Sequence, residues 1–405
     1  MSLQSIKKKA IELCKTNNIV QEKKKIKELI NKIADLLKKN SIDASILLGG
    51  SAAKDTFIGN EFDVDIFVLF NYAKYREKDI SSLLGKALKE LKPDKVHGSR
   101  DYFRFDNKYE IIPVLKIKNY KEVVNVTDAS PLHVSWVRKH VKKNPKLKQE
   151  IKLTKMFLKA AKIYGAESYI KGLSGHVTDI LVIYHGSFIG FLKAASKWKK
   201  TTEIDFENHK AVLDKSKIQG PLTVVDPIQP NRNAAAAVDY KAYEKLKKKA
   251  KEFLKNPALD FFIEKPIDLS RLKDKYNLIL KLKPLNGKSD VVGAKLMKGF
   301  EFAYDVLVDF NIQKAEWLWD KEKVCYYCFK LKKTQLEKEF VKQGPSKDYP
   351  RHIVNFKKKY KKTFIKGNIV YAKVKRSLLT PNDLLENYCQ KKYFKDKIAS
   401  WCIVK

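Results

Sequence analysis

The sequence predicts an α+β protein of several domains, and three observations carry that prediction. With 405 residues, the chain is longer than one ordinary domain. Hydrophobic residues make up 44% of it and aromatic residues 11%, which is enough to build substantial cores. Strand-like and helical runs alternate near both ends of the chain, whereas the middle shows mainly helical periodicity. We therefore expect three domains, over residues 1–130, 131–262 and 263–405.

The first domain is predicted to be a small α/β unit. It begins with Ile26, Leu29, Ile30 and Ile33, which open an apolar series at helical spacing with lysines and glutamates between its members. Extended runs bounded by glycine or by turn-forming residues follow this helix. The predicted elements are a helix over 26–37, strands over 45–48 and 63–70, a helix over 80–91, and strands over 102–105 and 109–117.

The second domain is predicted to be helical, and the third to mix helices with strands. Helical periodicity extends over most of residues 131–254. A proline-rich segment at 221–233 interrupts it, and because this segment is too polar for a core strand, we expect a long loop there. Pro257 and Pro266 mark the next boundary, after which strand-like runs return.

The charge of the chain indicates a polyanionic partner. Lys and Arg number 84 against 46 Asp and Glu, so the formal net charge is +38. Nucleic acid is the leading candidate for such a partner. Basic charge acts on phosphates without regard to sequence, so a ribosome-associated or membrane-surface protein fits the charge as well.

No membrane-spanning helix and no secretion signal are predicted. The longest apolar stretch, residues 180–192, is interrupted by His185, Gly186 and Ser187, and so falls short of the roughly 18 to 20 apolar residues that a span needs. The N-terminus lacks the apolar core of a signal peptide. We therefore expect a cytoplasmic protein with no membrane partner.

The cysteines are predicted to be reduced. Their odd number, five, in a chain expected in the cytoplasm argues against a disulfide framework. Cys325 and Cys328 have a spacing found in zinc sites, and Cys389 and Cys402 could complete a four-thiolate set. The local sequence Val324–Phe329 favours a buried strand instead, in which cysteine acts as a small hydrophobe.

Asp63 and Asp65 carry the strongest chemical signal in the sequence. They are two residues apart in an apolar run, and because strand side chains alternate, both carboxylates are predicted to project from one face. Adjacent like charges repel unless a cation or an arginine neutralises them, and carboxylate oxygens are ligands that Mg²⁺ prefers. The pair therefore predicts a magnesium site, with an exposed acidic strand edge as the alternative.

A glycine turn precedes this acid pair. Gly49-Gly50-Ser51 leaves the first strand and opens a helix, a geometry whose free backbone amides attract phosphate. A purely structural turn is the alternative for this motif taken alone. Phosphate beside metal indicates a nucleotide. Together the two motifs resemble the nucleotidyltransferase superfamily that includes DNA polymerase β, and within it the archaeal (class I) CCA-adding enzymes, the tRNA nucleotidyltransferases.

The resemblance extends over most of the chain, strongly from about Ile46 to Phe262 and thinly beyond. Further blocks that carry it are Ser130-Pro131-Leu132-His133, Lys155-Met156-Phe157-Leu158-Lys159, Ile163-Tyr164-Gly165-Ala166-Glu167, Gly172-Leu173-Ser174-Gly175, Tyr184-His185-Gly186-Ser187-Phe188, Val224-Val225-Asp226-Pro227 with Arg232-Asn233, and Gly344-Pro345. It implies a polymerase β-like nucleotidyltransferase domain, a helical central domain that completes the nucleotide site, and an α+β C-terminal tRNA-binding region.

The resemblance implies roles for the residues of the two motifs. Gly50, Ser51 and Lys54 would bind the nucleotide through its triphosphate, while Asp63 and Asp65 would hold Mg²⁺. Lys54 stands where the family usually has arginine, so a bidentate grip on phosphate would be lost.

Glu110 stands at the position of the third metal ligand. The family usually has Asp before two apolar residues and proline, whereas this sequence has Glu110-Ile111-Ile112-Pro113. Glutamate also offers hard oxygen ligands, but its extra methylene could alter the metal geometry or the activation of the primer hydroxyl. Asp106, the nearest alternative acid, is better explained as a turn residue.

Five more residues complete the nucleotide site that the resemblance implies. His133, Lys155 and Tyr164 match positions that contact the nucleotide, although helical spacing would put Tyr164 opposite Lys155 on a straight helix. Asp226 and Arg232 match positions that select the base together with the RNA, without a nucleic acid template, and a guanidinium fork suits a base edge. The structural alternatives are a helix cap or a packing role for His133, one lysine among many for Lys155, and a loop arginine on phosphate for Arg232.

The function that the resemblance implies is addition of C, C and A to the 3′ end of tRNA from CTP and ATP, by two-metal phosphoryl transfer. The C-terminal region, with aromatic residues such as Trp317 and Trp401, would hold the tRNA acceptor and T arms, although such aromatics are more often core residues. A polyadenylating RNA nucleotidyltransferase and a catalytically inactive RNA-binding protein are the alternatives. The sequence leaves a homodimer open.

Overall fold

The computed structural model describes residues 2–14, 19–59, 63–210 and 213–404. The chain divides into two compact units, an N-terminal unit of Met1–Lys265 and a C-terminal unit of Pro266–Lys405. Mixed helices and strands in both units confirm the predicted α+β class. The three domain ranges expected from the sequence stay predictions.

The N-terminal unit contains a mixed sheet followed by a bundle of helices. Its elements in chain order are α1 (Leu3–Leu13), α2 (Ile19–Lys39), β1 (Ala44–Leu48), α3 (Gly50–Lys54), β2 (Val64–Asn71), α4 (Tyr72–Tyr75), α5 (Ile80–Ala87), β3 (Asp94–Val96), β4 (Tyr102–Phe105), β5 (Tyr109–Lys116), α6 (Ser130–Lys143), α7 (Leu147–Ala160), α8 (Gly175–His185), α9 (Phe188–Ala195), β6 (Thr202–Ile204), β7 (Leu222–Val224) and α10 (Tyr240–Lys255).

The five-stranded sheet has the order β1-β2-β5-β4-β3. Strands β2 and β5 run parallel, and the other neighbouring pairs run antiparallel. Helix α2 packs Ile26, Leu29 and Ile33 into the same core as Val64 and Ile66 of β2. The four predicted strands are therefore confirmed to within a residue or two at their ends, and the predicted helix over 26–37 is confirmed as part of α2, which begins earlier, at Ile19. The short, polar strand β3 was not predicted.

The helices of the N-terminal unit share a second core. Helix α1, although first in the chain, contributes Ile6 and Ala10 to this core, where they join buried residues of α6 to α10 such as Phe157 and Ile180. A hydrogen bond of 2.6 Å from Lys7 to Glu150 also joins α1 to α7. The predicted helical character of the middle of the chain is confirmed.

The predicted loop at residues 221–233 contains a short strand. Leu222, Thr223 and Val224 are all buried and form β7, which pairs in parallel with β6. The side chain of Asn233 accepts a hydrogen bond from the backbone of Val224 and donates one to the backbone of Leu222, so it closes the loop onto the strand. The prediction that this segment is too polar for a core strand is therefore wrong for its first residues, because three apolar-flanked positions suffice when a side chain satisfies the backbone.

Among the described residues, no single helix has both the length and the apolar composition that a bilayer crossing requires. Helices α8 and α9 have this length and composition only when they are taken together, and the chain bends by 95° between them.

The C-terminal unit contains two antiparallel sheets and several helices. Its elements are α11 (Leu269–Lys275), β8 (Leu278–Pro284), α12 (Ser289–Leu307), β9 (Ile312–Trp319), β10 (Cys325–Leu331), β11 (Glu339–Ser346), α13 (Pro350–Lys359), β12 (Thr363–Lys366), β13 (Ile369–Lys375), α14 (Pro381–Tyr388), α15 (Lys392–Lys395) and β14 (Ile398–Ile403). The four-stranded sheet has the order β14-β8-β10-β9, and the three-stranded sheet has the order β11-β13-β12. Helix α12 packs Leu296 and Ala303 against the larger sheet.

The cysteines of strand β10 face opposite sides of its sheet. Cys325 lies in one hydrophobic core with Cys389, whereas Cys328 lies in another with Tyr326. Burial raises the pKa of the Cys325 thiol, and it raises that of Cys328 to about 12. Two thiols on opposite faces cannot share one metal ion, so the predicted packing role of this pair is confirmed.

Candidate functional site

Two of the residues predicted as metal ligands, Asp65 and Glu110, lie opposite each other on neighbouring strands of the five-stranded sheet. In the parallel β2–β5 pair, Asp65 stands opposite Glu110, and in the antiparallel β4–β5 pair, Glu110 stands opposite Arg104. The Nη2 of Arg104 donates a hydrogen bond of 2.8 Å to Oε1 of Glu110. Asp63 is exposed and directly precedes Val64, where β2 begins. We refer to Asp63, Asp65 and Glu110 as the acid row.

Arg104 lies in the negative field of the acid row. Its side chain is 15% exposed, and that of Glu110 is 13% exposed. Burial lowers the pKa of Arg104, but the hydrogen bond and charge of Glu110, with further contributions from Tyr102 and Asp63, raise it overall. The guanidinium therefore stays charged and offsets part of the repulsion within the row.

The predicted phosphate turn lies against the same row. The backbone N–H of Gly49 donates a hydrogen bond of 2.7 Å to the carbonyl oxygen of Asp65. Gly50, the first residue of α3, has a φ of +55°, and a Cβ at this position would lie 1.7 Å from Oδ2 of Asp65. Only glycine meets both conditions. Since Ser51 follows on α3, the predicted phosphate residues adjoin the predicted metal ligands.

Lys54 and Lys155 share one carboxylate, that of Asp179 on α8. The Nζ of Lys54 lies 2.5 Å from Oδ2 of Asp179, and the Nζ of Lys155 lies 3.6 Å from Oδ1. Lys155 also donates hydrogen bonds of 3.0 and 3.1 Å to the carbonyl and hydroxyl oxygens of Thr56. Asp179 has no exposed surface, and although burial raises its pKa, the charges of Lys155 and Lys54 lower it overall. Lys54, predicted to bind the triphosphate, and Lys155, predicted to contact the nucleotide, thus lie around one buried anion.

Tyr164 also lies near Asp179, although it is not on the same helix as Lys155. Helix α7 ends at Ala160, so Tyr164 lies beyond it, where its backbone forms a β-bridge with Leu173. The straight-helix spacing between Lys155 and Tyr164 therefore does not apply. Burial raises the pKa of Tyr164, and the negative charge of Asp179 raises it further. The structure places Tyr164 in the electrostatic field of the carboxylate that the two lysines share.

Asp226 is the centre of a second cluster. Its Oδ1 accepts hydrogen bonds from His133 Nε2 at 2.9 Å and from the backbone N–H groups of Ile228 and Gln229. Its Oδ2 accepts one of 2.7 Å from Arg232 Nη1 and contacts His176 Nε2 at 3.2 Å. Burial raises the pKa of Asp226, but the hydrogen bonds and charges of the two histidines lower it strongly overall. The structure thus joins three predicted residues and adds His176.

Helix α8 connects the two clusters. His176 and Asp179 are one helical turn apart and therefore lie on one face of α8. Burial lowers the pKa of His176, the hydrogen bond to Asp226 opposes that shift, and the positive charge of Lys54 adds to it. The residues that the sequence placed around the nucleotide thus form one continuous arrangement, from the acid row through α3 to the two clusters.

The donor atoms of the acid row fit a hard divalent cation. Carboxylate oxygens are the ligands that Mg²⁺ prefers, and the three acids outnumber the one arginine, Arg104, that donates a hydrogen bond to Glu110. The ligand atoms of His133, His176 and Asp226 also lie within 4.8 Å of one another, a set that suits zinc better than magnesium. In that cluster, the hydrogen bonds join the members to each other, and the charge of Arg232 opposes a further cation.

Sequence reasoning missed Arg104, His176 and Asp179. The last two lie on helix α8, where Val177 to Ile183 are all buried, and a charged residue such as Asp179 within a buried apolar run signals a buried partner. Arg104 had a weaker signal, namely that a row of acids requires a cation or an arginine.

Two family models match the N-terminal unit. The model of the nucleotidyltransferase domain matches residues 14–126, and that of the second domain of tRNA nucleotidyltransferases matches residues 149–263.

Curated relatives are CCA-adding enzymes of archaea. The enzyme of Nanoarchaeum equitans is 39% identical over 235 residues, which cover 55% of this chain and 58% of the relative. That of Pyrobaculum aerophilum is 35% identical over 252 residues, which cover 60% of this chain and 58% of the relative. The chain thus matches less than two thirds of the length of these two relatives. The enzyme of Methanocaldococcus jannaschii is 28% identical over 414 residues, covering 96% of this chain and 91% of the relative.

Solved structures show the same fold at low identity. The Cid1 poly(U) polymerase, with a TM-score of 0.53 and 14% identity, covers 65% of this chain and 100% of its own. A cytoplasmic RNA terminal U-transferase, with a TM-score of 0.51 and 15% identity, covers 65% of this chain and 99% of its own. These likenesses concern the fold alone, and together with the family model at residues 14–126 they show a nucleotidyltransferase fold.

Proposed function

We propose that the chain, which is similar to archaeal CCA-adding enzymes, adds C, C and A to the 3′ end of tRNA from CTP and ATP, without a nucleic acid template, and releases pyrophosphate. The strand register that sets Asp65 beside Glu110 and next to Gly50 is the observation that carries nucleotidyl transfer. Similarity to a CCA-adding enzyme over 96% of the chain supports the tRNA substrate and the three-nucleotide product.

The acid row, Asp63, Asp65 and Glu110, is proposed to hold two Mg²⁺ ions. When bound, such ions favour ionisation of the attacking hydroxyl and neutralise charge on the phosphates. The role of the protein is to hold these carboxylates close to one another. The β2–β5 register does this for Asp65 and Glu110, while Arg104 offsets their repulsion.

Ser51, Lys54, Lys155 and Tyr164 are proposed to bind the triphosphate. The 3′ oxygen of the tRNA forms a bond to the α-phosphorus of the nucleotide, while the bond from that phosphorus to pyrophosphate breaks. The departing group gains negative charge, and lysines held by a buried carboxylate are preorganised to stabilise it. Lys54, as a single point charge, would grip phosphate without the fork that arginine offers.

Arg232 and His133 are proposed to act at the base of the nucleotide. The side chain of Arg232 is 47% exposed, so its fork can reach a ligand while Asp226 holds one of its nitrogens. A guanidinium oriented in this way can donate two parallel hydrogen bonds to a base edge. Asp226 then serves the selection of the base by fixing both partners.

The C-terminal unit is proposed to hold the acceptor and T arms of tRNA. It carries exposed lysines, such as Lys357, Lys358 and Lys359 on α13, which can contact phosphates without reading the sequence. The tRNA substrate places the proposed reaction in the cytoplasm. A homodimer is compatible with it, and analytical ultracentrifugation would distinguish a dimer from a monomer.

The test is to incubate the protein and Mg²⁺ with tRNA that lacks its last three nucleotides. Each triphosphate is supplied separately and then all four together, and the product ends are sequenced. We expect two cytidines and then one adenosine, with no further extension. The variant Asp65→Asn should give no product, while Asp214→Asn, which changes an exposed acid of the same unit, should behave like the wild type. Long adenosine or uridine tails, or no extension at all, would contradict the proposal.

A further inference from the structure

Three side chains from three neighbouring strands stand in one line across the five-stranded sheet. Asp65 on β2 is opposite Glu110 on β5, and Glu110 is opposite Arg104 on β4. Glu110 is therefore the middle residue of the three, with the negatively charged Asp65 on one side and the positively charged Arg104 on the other. The register fixes this order whatever conformation the side chains adopt.

Arg104 has more hydrogen-bonding capacity than Glu110 uses. Its Nη2 donates to Glu110, whereas its Nε is buried and, among the residues that the structure describes, has no hydrogen-bond partner. A guanidinium cannot lose its charge at physiological pH, so a buried Nε of this kind keeps a permanent cation beside the acid row. The charge of Asp63 also acts on Arg104.

We propose that Arg104 is the resident counter-ion of the acid row and sets its affinity for divalent metal. Without metal, Arg104 holds Glu110 and offsets the charge of the other two acids. With metal, it competes with the ion for the Glu110 carboxylate. Arg104 is thus a positioning residue for Glu110, and the inference rests on the proposed role of the acid row.

The longer side chain of Glu110 suits this double role. Residues opposite each other on neighbouring strands have Cβ atoms about 4.5–5.5 Å apart, so a glutamate carboxylate can reach across to a guanidinium. A hydrogen bond between ionised groups contributes a net stabilisation equivalent to a factor of about ten or more, and a cation that competes for the same carboxylate has to overcome it. Removing Arg104 should therefore tighten metal binding by on the order of tenfold.

The experiment measures metal binding directly, without tRNA or nucleotide. Mn²⁺ binding to the full-length protein is followed by electron paramagnetic resonance, and Mg²⁺ binding by calorimetry. Thermal unfolding is recorded in chelator and in saturating Mg²⁺. The variants are Arg104→Gln and Arg104→Lys. Arg76→Gln is the matched control, because Arg76 is an exposed arginine of the same unit, ion-paired with Glu77.

Arg104→Gln should bind both metals about tenfold more tightly than the wild type. It should unfold at a lower temperature in chelator and gain more from added Mg²⁺, because its acids then lack a counter-charge. Arg104→Lys, which keeps the charge but not the fork, should have an intermediate affinity. Arg76→Gln should match the wild type in each measurement.

The variant Asp65→Asn tests the proposed metal site separately from the role of Arg104. If Asp65→Asn abolishes metal binding but Arg104→Gln binds as the wild type does, the role of Arg104 is overturned and the metal site stands. Should Arg104→Gln fail to fold, equal affinity of Arg104→Lys and the wild type overturns the role in the same way. If the wild type binds no metal, or Asp65→Asn binds it unchanged, the metal site falls and this inference falls with it.

Discussion

The carboxylate of Glu110 is both a proposed metal ligand and the hydrogen-bond acceptor of Arg104. It lies beside Asp65 in the sheet register and accepts a hydrogen bond from Arg104. An alanine at this position would remove an oxygen ligand and would also leave a guanidinium buried without its carboxylate. Loss of one member of a buried ion pair is strongly destabilising.

We therefore expect Glu110→Ala to lower the rate of nucleotide addition at least about 100-fold and also to lower the unfolding temperature. Glu110→Asp should keep or improve activity, because aspartate still supplies a carboxylate to metal. Single-turnover rates and thermal unfolding measure the two effects. Glu90→Ala, which removes the exposed partner of Lys39, is the control. Near-normal turnover in Glu110→Ala would assign the third ligand elsewhere.

We propose that Arg232 acts on selection of the base and not on affinity for the triphosphate. Its partner is Asp226, whereas the lysines proposed for the phosphates contact Asp179. We expect Arg232→Ala to reduce the preference for CTP and ATP over UTP and GTP about tenfold or more, since a bidentate contact to a base contributes roughly 1–3 kcal/mol of discrimination. Relative incorporation of the four nucleotides measures it, with exposed Arg138→Ala as control. An equal loss of affinity for all four would make Arg232 a phosphate contact.

Helix α8 holds two charged networks through side chains one turn apart. Asp179 anchors the lysines of α3 and α7, and His176 contacts Asp226. Burying ionised groups on an otherwise apolar helix is costly unless each is paired, and here the partners come from elements far apart in the chain. The helix thereby connects the predicted phosphate turn with the Asp226 cluster that is proposed to select the base.

Asp179→Asn should weaken binding of CTP and ATP by an equal factor of about ten, because Lys54 and Lys155 lose the charge that positions them. Asp179→Glu should restore part of the affinity. KM values for both nucleotides, and the affinity for pyrophosphate alone, measure the effect, with exposed Asp214→Asn as control. A change confined to one of the two nucleotides would show that Asp179 acts on the base instead.

Sequence periodicity predicted the elements but not the links between them. Helix α2 and strands β2, β4 and β5 follow from local spacing, and Asp106 lies in the predicted turn with a φ of +54°. The Lys54–Asp179 pair joins residues 125 positions apart, and no local pattern encodes such a distance. Tyr164 escaped the spacing argument because α7 ends before it. The identities of the site residues came from resemblance, and their mutual contacts came from the structure.

The residues proposed for nucleotidyl transfer and those proposed for RNA binding lie in different units of the chain. All residues assigned to metal and nucleotide lie before Pro266, where the C-terminal unit begins. Each unit has hydrophobic cores of its own, so each is expected to fold when the other is removed.

A fragment of residues 1–265 should therefore stay folded and bind nucleotide, yet use tRNA poorly. Binding of full tRNA and of a minihelix with only the acceptor and T arms is measured across a salt series. For every phosphate that the fragment no longer neutralises, the log–log salt slope should become shallower by about 0.9 on a duplex. The intact protein should bind both RNAs alike. If the fragment extends minihelices as well as the intact protein does, the C-terminal unit serves another partner.

Cys402 differs from the other cysteines in a way that makes the protein simple to label. It is exposed on β14, whereas Cys14, Cys325, Cys328 and Cys389 are buried. A maleimide dye should therefore react once per native chain, at one known place in the C-terminal unit, with no cysteine engineered away. A fluorophore attached there would report on tRNA arriving at that unit, while the chemistry in the N-terminal unit stays unmodified.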